Sequence, residues 1–271
     1  MRKSKLLIVL LSGLLLAGCG KSTDTKHDTQ TTATSKTEKK ASTEQKQASS
    51  STSQTSSSEA TNSSAATTDE DSKRLVDLGQ QLKQKLGANE KFPTAHLING
   101  VENARYSGDQ NNYTVDFYGH NRGVALNDSR LNDSQPFLTL SKKTYGSRTE
   151  ATATVKYSDG KAEVKLPHVD LGYNIVGTVN SGAGQRYLHW NEGRWSLGVR
   201  GSAVAGQDPK KTARKVVALT QAYALPVPET RGAGTFEVDN GGTISWVKGN
   251  AVYTLKSKNY QALIVSAASL K

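Results

Sequence analysis

One cysteine, five histidines and a scatter of serines, lysines and carboxylates are the side chains here able to do covalent or acid–base chemistry. Cys19 is the sole thiol, so no disulfide can form within the chain and the fold must rest on packing. His27, His96, His120, His168 and His189 stand far apart, and none has the i, i+4 spacing of a zinc-binding helix. A metal site would therefore have to be assembled from distant segments, and none is expected. Ser158-Asp159-Gly160-Lys161 fits the spacing in which a lysine amine takes a serine proton from one helical turn away. The Asp159-Gly160 pair marks a turn, however, and that context removes the helix the chemistry needs. Leu126-Asn127-Asp128-Ser129 recurs as Leu131-Asn132-Asp133-Ser134, an oxygen-rich stretch without EF-hand spacing that reads as turns. With no nucleophile elbow, P-loop or dinucleotide fingerprint, no catalytic residue and no bound cofactor is read from the chain. An enzyme would need a carboxylate such as Asp116 or Asp170 to meet His120 or His168 across the fold.

The cysteine itself sits in a more telling place. Arg2, Lys3 and Lys5 precede an apolar run over residues 6–16, and Leu16-Ala17-Gly18 then presents small residues before Cys19. That run is too short for the roughly 20 residues of a membrane-spanning helix. The four-residue motif resembles the lipobox of bacterial lipoproteins. The resemblance implies removal of residues 1–18 and a covalent diacylglycerol on Cys19, whose two acyl chains suffice for stable membrane anchoring. Residues 20–68 contain no aromatic residue, Leu, Ile or Val, so they cannot bury enough apolar surface to offset ordering entropy. Residues 19–68 thus read as the lipidated cysteine and a disordered Ser/Thr/Lys-rich tether, with a coil span of about 40 Å.

The expected folded domain, residues 69–271, carries 26 basic against 19 acidic side chains. A modestly basic domain outside the cell meets anionic headgroups and wall polymers, and the compartment disfavours nucleic acid. Leu75, Leu78, Leu82 and Leu86, preceded by acids and followed by Gly87, predict an amphipathic helix. The period then changes to two at Tyr113, Val115 and Phe117. It recurs at Ala151, Ala153, Val155 and Tyr157, predicting a hairpin through Asp159-Gly160 into Ala162, Val164 and Leu166. Residues 121–134 read as a long loop.

An internal repeat organises the C-terminal half. Leu188-His189-Trp190-Asn191-Glu192-Gly193 matches Ile244-Ser245-Trp246-Val247-Lys248-Gly249, each after a glycine-rich turn and before a second strand. Helices are predicted next, over 208–224 and 259–270. The expected fold is α+β, an antiparallel sheet packed against helices with a duplicated hairpin–helix unit, and with 69–180 and 181–271 as possible sub-units. Alternation points the tryptophans to one face, as core. On the 208–224 helix, Lys210, Lys211, Arg214 and Lys215 share a face able to contact an anionic surface.

With its lipobox, its tether and the Trp-x-x-Gly units Trp190 to Gly193 and Trp246 to Gly249, the chain resembles uncharacterised surface lipoproteins of Gram-positive lactic-acid bacteria. Its last 30 residues are similar to domains of unknown function related to the lipoprotein-carrier fold, a curved antiparallel sheet wrapped on helices. The resemblance implies an address, the outer face of the cell membrane, and an architecture, but no activity. The expected role is a non-enzymatic module binding wall polymer, lipid or an envelope protein. An acyl-chain carrier or sensor with a pocket lined by Trp190 and Trp246 is the alternative, and an enzyme of unrecognised type is the third. Replacing Cys19 with Ser should release the protein from the membrane fraction, and intact-mass analysis should find diacylglycerol on the parent only.

Overall fold

The computed structural model describes residues 63–95, 98 and 100–270. Leu16, Ala17, Gly18, Cys19, His27 and His96 lie outside the described residues. The leucine stripe builds helix α1, Ser63–Leu86, which starts earlier than the acidic cluster suggested and buries Leu75, Leu78, Leu82 and Leu86. Strands β1 (Val101–Gly108), β2 (Asn112–His120) and β3 (Leu138–Thr144) follow, then helix α2 (Arg148–Thr154). Strands β4 (His168–Gly172), β5 (Ile175–Gly182), β6 (Gln185–Glu192) and β7 (Trp195–Ser202) lead to helix α3 (Pro209–Ala222). The chain closes with β8 (Gly232–Glu237), β9 (Gly242–Lys248), β10 (Ala251–Ser257) and helix α4 (Tyr260–Ala268).

All strands join one ten-stranded sheet in the order β1-β2-β3-β10-β9-β8-β7-β6-β5-β4. Neighbours are antiparallel except β7 and β8, which run parallel. A parallel pair cannot be closed by a tight hairpin, and α3 supplies the crossover it requires. At this join the side chains of β7 lean over β8. A Cβ on Gly232 would stand 2.6 Å from the Trp195 ring, and one on Gly234 would stand 2.7 Å from Leu197. Only glycine leaves room there.

The two tryptophan hairpins form as β6–β7 and β9–β10, and each turns through two residues. Gly193 (φ 57°) and Gly249 (φ 60°) take the first loop position, where positive φ suits a type II′ turn. The helices that follow are capped as their sequences imply. Asp208 accepts from Lys210 N at 3.0 Å with Pro209 in the first turn. Asn259 accepts from Gln261 N at 2.9 Å and Ala262 N at 3.1 Å. α3, α4 and α1 cover one face of the sheet, where Phe117, Leu140, Leu255, Ile244, Phe236, Leu197 and Leu188 join a single core.

Residues 148–166 depart from the predicted hairpin. Ser147 caps α2 by accepting from Glu150 N at 3.1 Å, and Glu150 reaches back to Gly146 N at 3.1 Å. This resembles a capping box, and it sits ahead of Ala151 and Val155, spaced i, i+4 as well as on alternate positions. Those two pack on Val247 and Val252 on the sheet's opposite face. Instead of a second strand, Gly160 (φ 72°) leads into a 3-10 turn, Lys161–Glu163.

Both sheet edges are occupied by arginines from helices. On β1, Arg74 Nε donates to Glu102 O at 2.7 Å, and on β4, Arg214 Nη2 donates to Asp170 O at 3.0 Å. β4 also carries an irregularity between Asp170 and Gly172.

A half-buried polar lock fixes the α1–β1 loop to the sheet. Glu90 accepts from Tyr113 Oη at 2.8 Å, Tyr253 Oη at 3.0 Å and Lys142 Nζ at 2.6 Å. Lys142 lies 5.9 Å and 5.7 Å from the centres of the same two tyrosine rings, and Trp246 stacks on Tyr253 at 5.6 Å. Burial, and then the Glu90 carboxylate, hold the Tyr113 and Tyr253 phenols far above their ordinary range. Removing Glu90 would leave a shielded ammonium with no carboxylate beside it and the Gln110 carbonyl, at 2.9 Å, as its acceptor. Glu90→Ala should cost about 3 kcal/mol in urea unfolding, and Tyr253→Phe about 1 kcal/mol.

Candidate functional site

The face of the sheet opposite α1, α3 and α4 is polar. Strand register lines its side chains into transverse rows. One row runs Asp116, Thr139, Lys256, Thr243 and Thr235, then Gly198, His189 and Thr178. The neighbouring row runs Thr114, Ser141, Thr254, Ser245, Ala233, Ser196 and Asn191. Hydroxyls bond across it, with Ser245 and Thr254 at 2.9 Å and Thr139 donating to Asp116 at 2.6 Å. Lys143 and Lys256 project from this face, and Lys156 stands beside it, all exposed.

Over β5 to β8 the segment that follows α2 lies across these rows and closes a cleft of about 320 Å³. Glu163, at the end of the 3-10 turn, accepts from His189 Nδ1 at 2.7 Å, and His189 Nε2 faces Ser196 Oγ at 2.9 Å. Thr178 Oγ1 and Ser158 Oγ both donate to Glu163, at 2.7 Å and 3.1 Å. The Ser158 backbone N–H donates to Ser196 Oγ at 3.1 Å, while Asn191 Nδ2 holds Ser158 O at 2.8 Å. Burial tends to raise the Glu163 pKa, but hydrogen bonds from Thr178, His189 and Ser158 outweigh it and hold the carboxyl below its ordinary value. Opposite His189 in the register is Gly198, whose missing side chain leaves the gap that the cleft occupies.

Half of this site was within reach of the sequence. The two-residue turn Gly193-Arg194 sets Asn191 against Ser196 and His189 against Gly198, so His189 and Ser196 lie diagonally on one face. Glu163 carried no such signal, because its segment reads as a strand. Ser158 does enter the site, but not with Lys161. Lys161 pairs with Asp159 at 3.1 Å in solvent.

Other candidates are dispersed. Asp116 is bound to Thr139, and Asp170 accepts from Gly172 N at 2.9 Å. Neither is hydrogen-bonded to His120 or His168 among the described residues. Asp128 is held by Arg130 and caps the short 3-10 turn Ser129–Leu131, as a turn-forming residue does. No cluster of three metal-ligating side chains occurs among the described residues. Lys210, Lys211, Arg214 and Lys215 are exposed along α3, but Arg214 is engaged by Asp170 O. Trp190 and Trp246 are 2% and 4% exposed, inside the core. The gap beside Trp246 is about 20 Å³, too small for an acyl chain. A larger cleft, about 460 Å³, opens instead beside Trp195, against Leu225, Pro226 and Glu192.

Comparison with known protein families, curated proteins and solved structures finds no match to this chain.

A carboxylate whose pKa is depressed by folding stabilises the native state above its unfolded value of 4.5, and that contribution fades as pH falls through the folded value. The wild type should therefore lose more stability between neutral and strongly acidic pH than Glu163→Gln does. Urea midpoints across that range measure the difference.

Proposed function

We propose that this chain is an extracytoplasmic binding module, tethered to the cell membrane by lipid on Cys19, that holds an anionic, hydroxyl-rich wall polymer against its open sheet face. The observation that carries the reading is the pair of transverse polar rows left uncovered by helices. Outside the cleft these rows set hydroxyls on five neighbouring strands, at Thr114, Ser141 and Thr139, Thr254, Ser245 and Thr243, and Thr235. Such a ladder offers donors and acceptors at regular strand spacings, matching a repeating polyol. Lys143, Lys156 and Lys256 give that face the positive charge that draws phosphate-bearing chains. The two Trp hairpin–helix units we take as a duplicated element. The common placement of Trp190 and Trp246, and of Gly193 and Gly249, supports this.

A second reading, an acyl-chain carrier, draws on the cleft beside Trp195. Its wall is apolar at Leu197, Leu225 and Val227, and burial pushes the Glu192 carboxyl up despite hydrogen bonds from Trp190 and Gln221. A brominated fatty acid entering it should quench tryptophan fluorescence, and Val227→Arg should block that change.

The polymer reading is tested with soluble Cys19→Ser protein and purified wall polymer. Binding should appear at low salt and weaken as salt rises. The pair Lys143→Glu and Lys256→Glu should reduce affinity roughly tenfold, about 1.4 kcal/mol. Undiminished binding by that double variant would move the site elsewhere.

A further inference from the structure

We propose that Ser196, His189 and Glu163 form a nucleophilic relay that cleaves carboxylic esters, an activity beyond polymer binding and independent of it. The geometry gives each nitrogen of the imidazole a distinct partner. Nδ1 meets the Glu163 carboxylate at 2.7 Å and Nε2 meets the Ser196 hydroxyl at 2.9 Å. That is the arrangement in which a histidine, held in one tautomer by an acid, takes a proton from a serine. The acid is itself fixed by Thr178 and Ser158 hydroxyls, so the ring has little freedom to turn away.

Ser196 is 5% exposed and lines the same cleft of about 320 Å³ as His189 and Glu163, so the reaction requires an acyl group small enough to enter that cleft. Gly198 keeps the floor of that cleft open beside the imidazole. The Ser158 N–H donates to Ser196 Oγ at 3.1 Å and so fixes the hydroxyl oxygen beside the imidazole.

The reaction balances without a metal or redox partner. Ser196 Oγ bonds to the ester carbonyl carbon as its proton passes to His189 Nε2. The imidazolium is stabilised through Nδ1 by Glu163, a positioning residue. Collapse of the tetrahedral adduct breaks the carbon–alkoxy bond, and the leaving alcohol takes the proton from Nε2. Water then attacks the acyl-serine as its proton passes to His189 Nε2, the carbon–Oγ bond breaks, and Nε2 returns the proton to Ser196 Oγ as the acid leaves.

The test treats the intact protein with a fluorophosphonate probe and locates the adduct by peptide mass spectrometry. p-Nitrophenyl acetate hydrolysis is measured in parallel. The expected result is one phosphonyl adduct, on Ser196, with P–F cleaved, together with ester turnover. Ser196→Ala and His189→Ala should abolish both. Glu163→Gln should lower kcat at least about a hundredfold with KM little changed, a split that mere loosening of the fold would not give. Absence of an Ser196 adduct on folded wild-type protein, or turnover that survives Ser196→Ala, overturns the proposal. Polymer binding without labelling would leave the binding reading standing and remove this one.

Discussion

The structure depends on a single join, the parallel pairing of β7 with β8. On one side β4 to β7 follow one another through short turns, and on the other β8 to β10 do so before β10 pairs with β3 from the first part of the chain. Joining them requires two backbones to approach under large side chains, which Gly232 and Gly234 permit beneath Trp195 and Leu197. Trp195 is further pinned by its indole N–H, which donates to Pro226 O at 3.1 Å. The join also fixes how the two halves align. It sets Ser196 beside Ala233 and Gly198 beside Thr235, so the two rows keep one register from β2 to β6, each crossing the join at one small residue. Shifting this pairing by one residue would turn every inward side chain of β8 to the wrong face.

Much of the frame was legible in the chain because it rests on local patterns. The leucine stripe of α1, the Asp208 and Asn259 caps and the glycines at the first turn positions each act within a few residues. Residues 148–166 were misread for a definable reason. Ala151 and Val155 satisfy a two-residue and a helical period equally, and the Ser147–Glu150 cap decides between them. The Glu90 lock was beyond reach, since its partners lie 23, 52 and 163 residues away. The cleft divides along the same line. His189 and Ser196 meet through one hairpin, whereas Glu163 arrives from a turn whose position depends on α2 docking.

That docking links architecture to chemistry. The sheet's sealed face is ordinary core, and the packing there explains why Trp190 and Trp246 are structural. The opposite face is covered only in patches, by residues 121–136 at one end and by α2 and its following turn near the other. Where the cover is absent, hydroxyls and lysines face solvent. Where it passes over His189, it contributes the carboxylate and the backbone N–H that organise the imidazole and the serine. The polar rows and the His189 cleft both lie on the side that packing leaves unfinished.

Arg74 and Arg214 reach the two outermost strands from different helices, and each occupies a main-chain oxygen of β1 or β4. An open border of a sheet invites a second chain to continue it, the first step toward fibrous aggregates. A guanidinium bonded to each terminal strand, with the irregularity in β4, puts charge and misfit where such an addition would begin. Many copies crowded together can then remain separate bodies, each keeping its polar face available.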